Sequence, residues 1–176
     1  LSGGNLIGGT DATNRNVISG SNLHGIFLLG SSASGNQIVG NYIGLDVTGT
    51  KRLGNIKNGI TTSGVKYTII GGTNANARNI ISGNYESGIY LLSNLPFNII
   101  SISNAIQGNF IGLSNSSSAL PNGQFGIHLR GASISTVGGT TPGARNVVSG
   151  NGDNGITLSA GATSNLIPGN AIATAS

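Results

Sequence analysis

The stretch "IGGTDATNRNVISGSNLHGI" at 7–26 is written nearly three times. It returns as "IGGTNANARNIISGNYESGI" at 70–89 and as "VGGTTPGARNVVSGNGDNGI" at 137–156, 63 and then 67 residues on. Self-similarity at a near-constant period constrains the fold more than any composition can, because each copy must occupy nearly the same environment as the last. A second motif alternates with the first. "NQIVGNYIGLDVTGTKRLGNIKNGI" (36–60) answers to "NAIQGNFIGLSNSSSALPNGQFGI" (104–127), and "NLIPGNAIA" (165–173) opens a third copy. Every unit ends in Gly-Ile, at Ile26, Ile60, Ile89, Ile127 and Ile156.

Each unit holds three short apolar runs. In one they are Ile60, Ile69–Ile70 and Ile80–Ile81; in the next, Ile89–Leu92, Ala105–Ile106 and Phe110–Ile111. Gly, Asn or Ser interrupts each run after a few residues. Runs that short and that rich in β-branched residues predict strands, and no stretch sustains the i, i+3, i+4, i+7 spacing of a helix. Three strands in about 30 residues make one turn of a solenoid, with turns stacked roughly 4.8 Å apart. About five and a half rungs of three short strands are expected, all-β, in one domain over 1–176. The extra residues of "GGTNANAR" and "GLDVTGTKRLGNIKN" go to two different corners. Asn41, Asn109 and Asn170 are expected to share a corner at every second rung, with Gly-Gly between them. Asparagines so stacked can hydrogen-bond along the axis, as in cross-β ladders.

Composition agrees with an ordered, turn-dense β chain. Only 7% of residues are charged, against roughly 25% in ordinary soluble domains, while Gly supplies 31 of 176 residues. Without cysteine there is neither a disulfide frame nor a thiolate metal site. No apolar run approaches the roughly 18 residues of a membrane span. Of the eight basic residues behind the net charge of +4, only Lys51, Arg52 and Lys57 cluster. A nucleic-acid surface would need a denser basic stripe with interleaved aromatics, so no nucleic-acid partner is expected. The chain lacks methionine, and residues 1–6 and 165–176 enter and leave the repeat abruptly. It therefore reads as part of a longer protein, with flanking repeats or stacked copies of itself as partners.

The pattern "N-x-I-x-G-N-x-I-G…G-I-x-L…I-G-G-T…R-N-x-I-S-G-N" resembles the right-handed parallel β-helix repeats of the pectate-lyase-like superfamily. It is similar, more narrowly, to repeat arrays of large bacterial extracellular and surface proteins. The resemblance implies a right-handed parallel β-helix at an extracellular, cell-surface or virion-surface location. Its motifs specify fold far more than function. Active relatives include polysaccharide lyases, hydrolases, epimerases and phage tailspikes, so a polysaccharide-active enzyme with active residues partly outside this chain is an alternative to a structural or adhesive module.

The acids weigh against hydrolysis. Only Asp11, Asp46, Glu86 and Asp153 are present, and glycoside hydrolysis needs two carboxylates about 5–9.5 Å apart. Glu86 and Asp153 hold equivalent places two rungs apart, roughly 10 Å. The loop "GLDVTGT" offers calcium one carboxylate where six to eight oxygens are wanted. Its counterpart "GLSNSSS" has Ser114 for Asp46, which favours turn chemistry over a metal; no cofactor is expected. Arg15, Arg78 and Arg145 are expected to donate to carbonyls of their own "GGT" loops rather than to form an anion row. His24 and His128 fall three rungs apart. Asn115, in "NSS", has the pattern of a glycan acceptor.

The outer face of the Gly-Ile strands remains as the candidate site. In "GIxL" the Ile and the residue two later point inward. The outward row is then Phe27, Thr61, Tyr90, His128 and Thr157, followed by Leu29, Ser63, Leu92, Arg130 and Ser159. Phe27, Thr61, Tyr90, His128, Arg130 and Thr157 are the expected ligand-binding residues, with rings to stack on a sugar and polar groups to bond it. A third reading, ice binding, would need a regular Thr or Ser lattice, and this row is irregular.

Overall fold

In the computed structural model, residues 3–93 and 99–173 are described. The chain visits three all-parallel sheets in turn, once per rung. Sheet A contains β1 (Leu6–Gly8), β4 (Gln37–Val39), β7 (Ile69–Gly71), β10 (Ala105–Gln107) and β13 (Thr136–Val137). Sheet B contains β2 (Val17–Ile18), β5 (Tyr42–Ile43), β8 (Ile80–Ile81), β11 (Phe110–Ile111), β14 (Val147–Ser149) and β16 (Ala171–Ala173). Sheet C is made of the Gly-Ile strands β3 (Ile26–Leu29), β6 (Ile60–Ser63), β9 (Ile89–Leu92), β12 (Ile127–Arg130) and β15 (Ile156–Ser159). Sheets of five, six and five strands are the expected five and a half turns of a parallel β-helix.

Like residues stack on like. Ile38, Ile70 and Ile106 of sheet A, Ile43, Ile81 and Ile111 of sheet B, and Ile60, Ile89 and Ile127 of sheet C are all fully buried in one continuous core. Each such side chain contributes about 1.5–3 kcal/mol by leaving water. No rung could bury its stripe alone; the neighbour on either side completes it. One position breaks the rule. Thr62 lies in register with the inward Leu28 and Leu91, and its buried hydroxyl has no hydrogen-bond partner among the described residues.

The glycine of each Gly-Ile pair is a packing requirement. A Cβ at Gly88 would come 2.8 Å from both the carbonyl oxygen of Gly126 and Cγ2 of Ile111. The chain turns there so tightly that the next rung and sheet B both occupy the side-chain space. Gly71 differs: its φ of +83° lies in the left-handed region, and a Cβ would collide with the carbonyl of Gln107.

The corner between sheets A and B is held by an asparagine in every rung. Asn16, Asn41, Asn79, Asn109, Asn146 and Asn170 form a ladder in which each Nδ2 donates to the next Oδ1 at 2.9–3.1 Å. The expected alternation of Asn with Gly-Gly is thus corrected. Gly71 pairs in register with Gln107, two residues before the ladder's Asn109. Residues 72–78 then bulge out through a 3-10 turn at Ala75–Ala77, and Asn79 re-enters the corner that Asn41 and Asn109 occupy. The loop excursion separates Gly-Gly from the asparagine it was expected to replace. A second ladder, Asn55, Asn84, Asn122 and Asn151, holds the corner between sheets B and C.

The return loops fold back over the outer face of sheet B. Each is pinned by a short antiparallel bridge, Leu45 with Arg52 and Leu113 with Ala119. Beneath them Tyr42, Leu45 and Ile80 form a satellite core with Phe110 and Leu120 packed against it. Sheet B is therefore roofed, and sheets A and C keep their outer faces.

Candidate functional site

The register of sheet C places Phe27, Thr61, Tyr90, His128 and Thr157 side by side in successive rungs, and sets Arg130 between Leu92 and Ser159. The row is not uniform. Phe27 is 51% exposed and Arg130 is exposed, Tyr90 and His128 are half-buried, and Thr61 is 4% exposed. Thr61 is covered because the chain entering Gly-Ile supplies it with partners: Asn58 Nδ2 donates to its Oγ1 at 3.1 Å, and His24 Nδ1 lies 3.0 Å away. The Thr157 hydroxyl is also shielded and has no hydrogen-bond partner among the described residues.

Rings gather at two points on this face. His24 packs on Phe27 at 5.4 Å between centroids. Higher up, the His128 ring lies 5.0 Å from Tyr90 and meets Phe125 edge-on at 4.7 Å. Its Nε2 is 2.8 Å from Ser159 Oγ. These contacts fix the imidazole, and burial together with the nearby Arg130 charge lowers its pKa. Burial likewise lowers the pKa of His24; Glu86 opposes that shift and Lys57 adds to it. Around Tyr90, Phe125 and His128 opens a cavity of about 250 Å³, also lined by Asn58, Glu86, Ser87 and Gln124. Glu86 pairs with Lys57 at 3.1 Å across adjacent rungs.

Phe125 and Gln124 were not among the expected site residues. Their signal was positional. The residue preceding each Gly-Ile pair (His24, Asn58, Ser87, Phe125, Asn154) recurs beside the outward row, and a ring there reaches the strand's own ring.

The remaining sequence candidates are dispersed. Glu86 and Asp153 lie in one row with Gln124 between them, each joined to the next by a backbone hydrogen bond, roughly 10 Å apart. Asp46 turns its carboxylate onto its own loop, accepting from the backbone N–H groups of Thr50 and Lys51 and from the Thr48 hydroxyl, which lowers its pKa. Ser114 Oγ does the same in the next copy, accepting from Ser116 and Ser118 N–H. Asp11 caps a 3-10 turn by accepting from Thr13. Among the described residues no three His, Asp or Glu side chains converge as a metal site, and no helix is long and apolar enough to cross a membrane.

The arginines correct a second expectation. Each reaches the following rung rather than its own loop. Arg15 Nε donates to the Gly40 carbonyl, Arg78 to Gly108 and Arg145 to Gly169, at 3.0–3.1 Å. Arg15 then lies over the Tyr42 ring and Arg78 over Phe110, at 4.3 and 4.0 Å. Arg52 repeats the arrangement with Gly83 and Tyr85 at the next corner. The motif is Gly-Asn-aromatic, read one rung after the arginine. The reason is reach: a guanidinium spans the rung spacing, and the exposed corner carbonyl and ring lie at that distance.

Compared with protein-family models, with curated proteins and with solved structures, the chain finds no match in any of the three.

Proposed function

We propose that this chain is a structural and adhesive β-solenoid module of an extracellular or surface protein, contacting polysaccharide through the outer face of sheet C. The observation that supports this reading is the Tyr90–His128–Phe125 ring cluster opening beside Glu86, Gln124 and Asn58. Rings offer flat apolar faces to the C–H side of a sugar, and the adjacent amides and carboxylate offer partners to its hydroxyls. The rod beneath is rigid, since each rung is tied to the next through strands and asparagine ladders. Dispersal of the four acids favours binding over hydrolysis, which asks for a close carboxylate pair.

A glycan array probed with the purified chain and with a Phe27→Ala/Tyr90→Ala variant tests the reading. Binding to a defined polysaccharide that the variant loses supports it. Silence across the array, with the β-helix intact by circular dichroism, overturns the adhesive part and leaves a scaffold.

A further inference from the structure

Four asparagines stand directly before a glycine: Asn58, Asn122, Asn151 and Asn154. In such a pair the backbone nitrogen after the asparagine is flanked by no Cβ, so it can reach the carboxamide carbon, and attack within one chain segment is strongly favoured over attack between molecules. The reaction needs two free groups, the asparagine side chain and the glycine N–H. Three of the pairs lock both. Asn58 is buried, its Nδ2 donates to Thr61 Oγ1 at 3.1 Å, and its Oδ1 accepts from the Ser87 N–H at 2.8 Å. Asn122 and Asn151 belong to the ladder between sheets B and C, and each also donates to a carbonyl of sheet B. The N–H groups of Gly59, Gly123 and Gly152 donate to the carbonyls of Ser87, Asn84 and Asn122 at 2.8–3.0 Å.

Asn154 differs. It is exposed, and its side chain makes no hydrogen bond among the described residues. Nor does the Gly155 N–H, because β15 is the edge strand of sheet C. Asn58 and Asn154 both precede a Gly-Ile pair, and each has a threonine three residues on. Asn58 bonds its threonine, whereas the shielded Thr157 hydroxyl has no partner among the described residues, so the Asn154 amide is turned away from it. Packing fixes the glycine, since a Cβ at Gly155 would come 2.7 Å from Ile172 Cγ2. The fold therefore keeps the reactive pair and leaves it unbonded. The main chain around it is held: the Asn154 carbonyl accepts from the Gly126 N–H at 3.0 Å and the Gly155 carbonyl from the Ile127 N–H at 2.8 Å.

We propose that Asn154–Gly155 is a self-modifying site, at which the folded chain converts Asn154 to aspartate and isoaspartate with water as the co-reactant. The Gly155 nitrogen gives up its proton and bonds Asn154 Cγ. The Cγ–Nδ2 bond breaks, the nitrogen leaves as ammonia, and a cyclic imide remains. Water then adds to one of the two imide carbonyls. Cleavage of the new bond leaves aspartate. Cleavage of the original peptide bond leaves isoaspartate, whose main chain runs through Cβ and Cγ and whose former backbone carbonyl carbon is a free carboxylate. No electrons are gained or lost. Either product places a new negative charge beside Asp153. Isoaspartate also takes the Asn154 carbonyl out of the main chain and adds a carbon before Gly155, so it disturbs both bonds through which the chain enters β15. The edge strand then loosens from β12. The proposal does not depend on the polysaccharide reading.

The other three pairs supply the control. The full chain is aged in mildly alkaline buffer, folded and in urea, and the four sites are followed by peptide mapping with mass spectrometry that separates aspartate from isoaspartate. In the folded chain Asn154 is expected to convert about tenfold or more faster than Asn58, Asn122 and Asn151, which must first open their hydrogen bonds. In urea the four rates converge. Asn154→Gln, whose longer side chain cyclises poorly, removes the fast release of ammonia without touching the fold. Hydrogen exchange at the Ile127 amide is faster in the isoaspartate form than in Asn154→Asp. A folded-state rate at Asn154 no higher than at the buried pairs overturns the proposal, and so does fast ammonia release that Asn154→Gln leaves unchanged. Equal exchange in the isoaspartate and Asn154→Asp forms overturns the loosening of β15.

Discussion

The asparagine ladder makes a quantitative claim at Asn79. The side chain is fully buried. Its Nδ2 donates to the Ile38 carbonyl at 2.7 Å and to Asn109 Oδ1 at 3.0 Å. Its Oδ1 accepts from the backbone N–H and the Nδ2 of Asn41, both at 3.0 Å. Asn79→Ala therefore removes four hydrogen bonds and leaves their partners facing each other in a dry corner. At about 1 kcal/mol net per bond, the loss is about 4 kcal/mol, rising where a partner stays unsatisfied. Asn170 makes a comparable set of bonds but is only half-buried, so water can take over and Asn170→Ala should cost about 1 kcal/mol. Urea unfolding followed by far-UV circular dichroism reads both. The comparison requires equal m-values, because solenoids can unfold in segments. A loss at Asn79 under 1 kcal/mol, or one equal to that at Asn170, would refute the claim that ladder bonds are strong because they are buried.

Thr62→Val should stabilise the rod by about 1 kcal/mol, because it removes a hydroxyl buried in the core row with no partner among the described residues; calorimetry would show a raised midpoint. Arg78→Ala should cost about 1–2 kcal/mol by losing both the Gly108 bond and the Phe110 ring; Arg78→Lys should not restore it, since an ammonium lacks the planar stack. Arg145, whose ring position is held by Ala171, should tolerate the same change with a loss nearer 0.5 kcal/mol. The histidines set a pH dependence. Both have folded pKa values below the ordinary 6.5, so the unfolded chain takes up protons first, and stability present above pH 6.5 falls as the pH drops below it. His128→Asn should flatten that fall in unfolding curves measured between pH 7.5 and 5, and an unchanged slope would contradict the desolvated ring.

Rungs were legible because each repeats one environment. Ile60, Ile89 and Ile127 announce themselves through Gly-Ile, since a Cβ on the glycine would meet the next rung and the isoleucine fills the core. Period and alternation are local, so they survive in one sequence. The misread features all depend on a neighbour 25 to 40 residues away. Asn79 belongs to the corner of Asn41 and Asn109, but the excursion after Gly71 hides the alignment. Arg78 looks local to its own loop, yet its partners arrive with Gly108 and Phe110. Thr61 has the alternation of an exposed residue and is buried because His24, from the rung before, closes over it.

The same distinction separates the outward row of sheet C from the corner that precedes sheet A. Outward residues of sheet C can be counted off from Gly-Ile, so Phe27, Tyr90 and His128 are legible as a row, whereas Phe125 and Gln124, outside the strand, are not. The corner before sheet A, where Gly4, Gly35, Tyr67 and Ile134 all have positive φ, carries no such mark. Positive φ is normally legible as Gly or Asn, and at positions 4 and 35 it is. Tyr67 and Ile134 take that conformation because the rungs above and below force it. A solenoid imposes the backbone of one turn on the next, so a residue unsuited to the corner can be held there by its neighbours' hydrogen bonds. Such an array can therefore display strained side chains on a fixed spacing. Replacing Ile134 by Gly should then raise stability by about 1–3 kcal/mol, and a loss of stability in urea would show that the Ile134 side chain supports the corner rather than straining it.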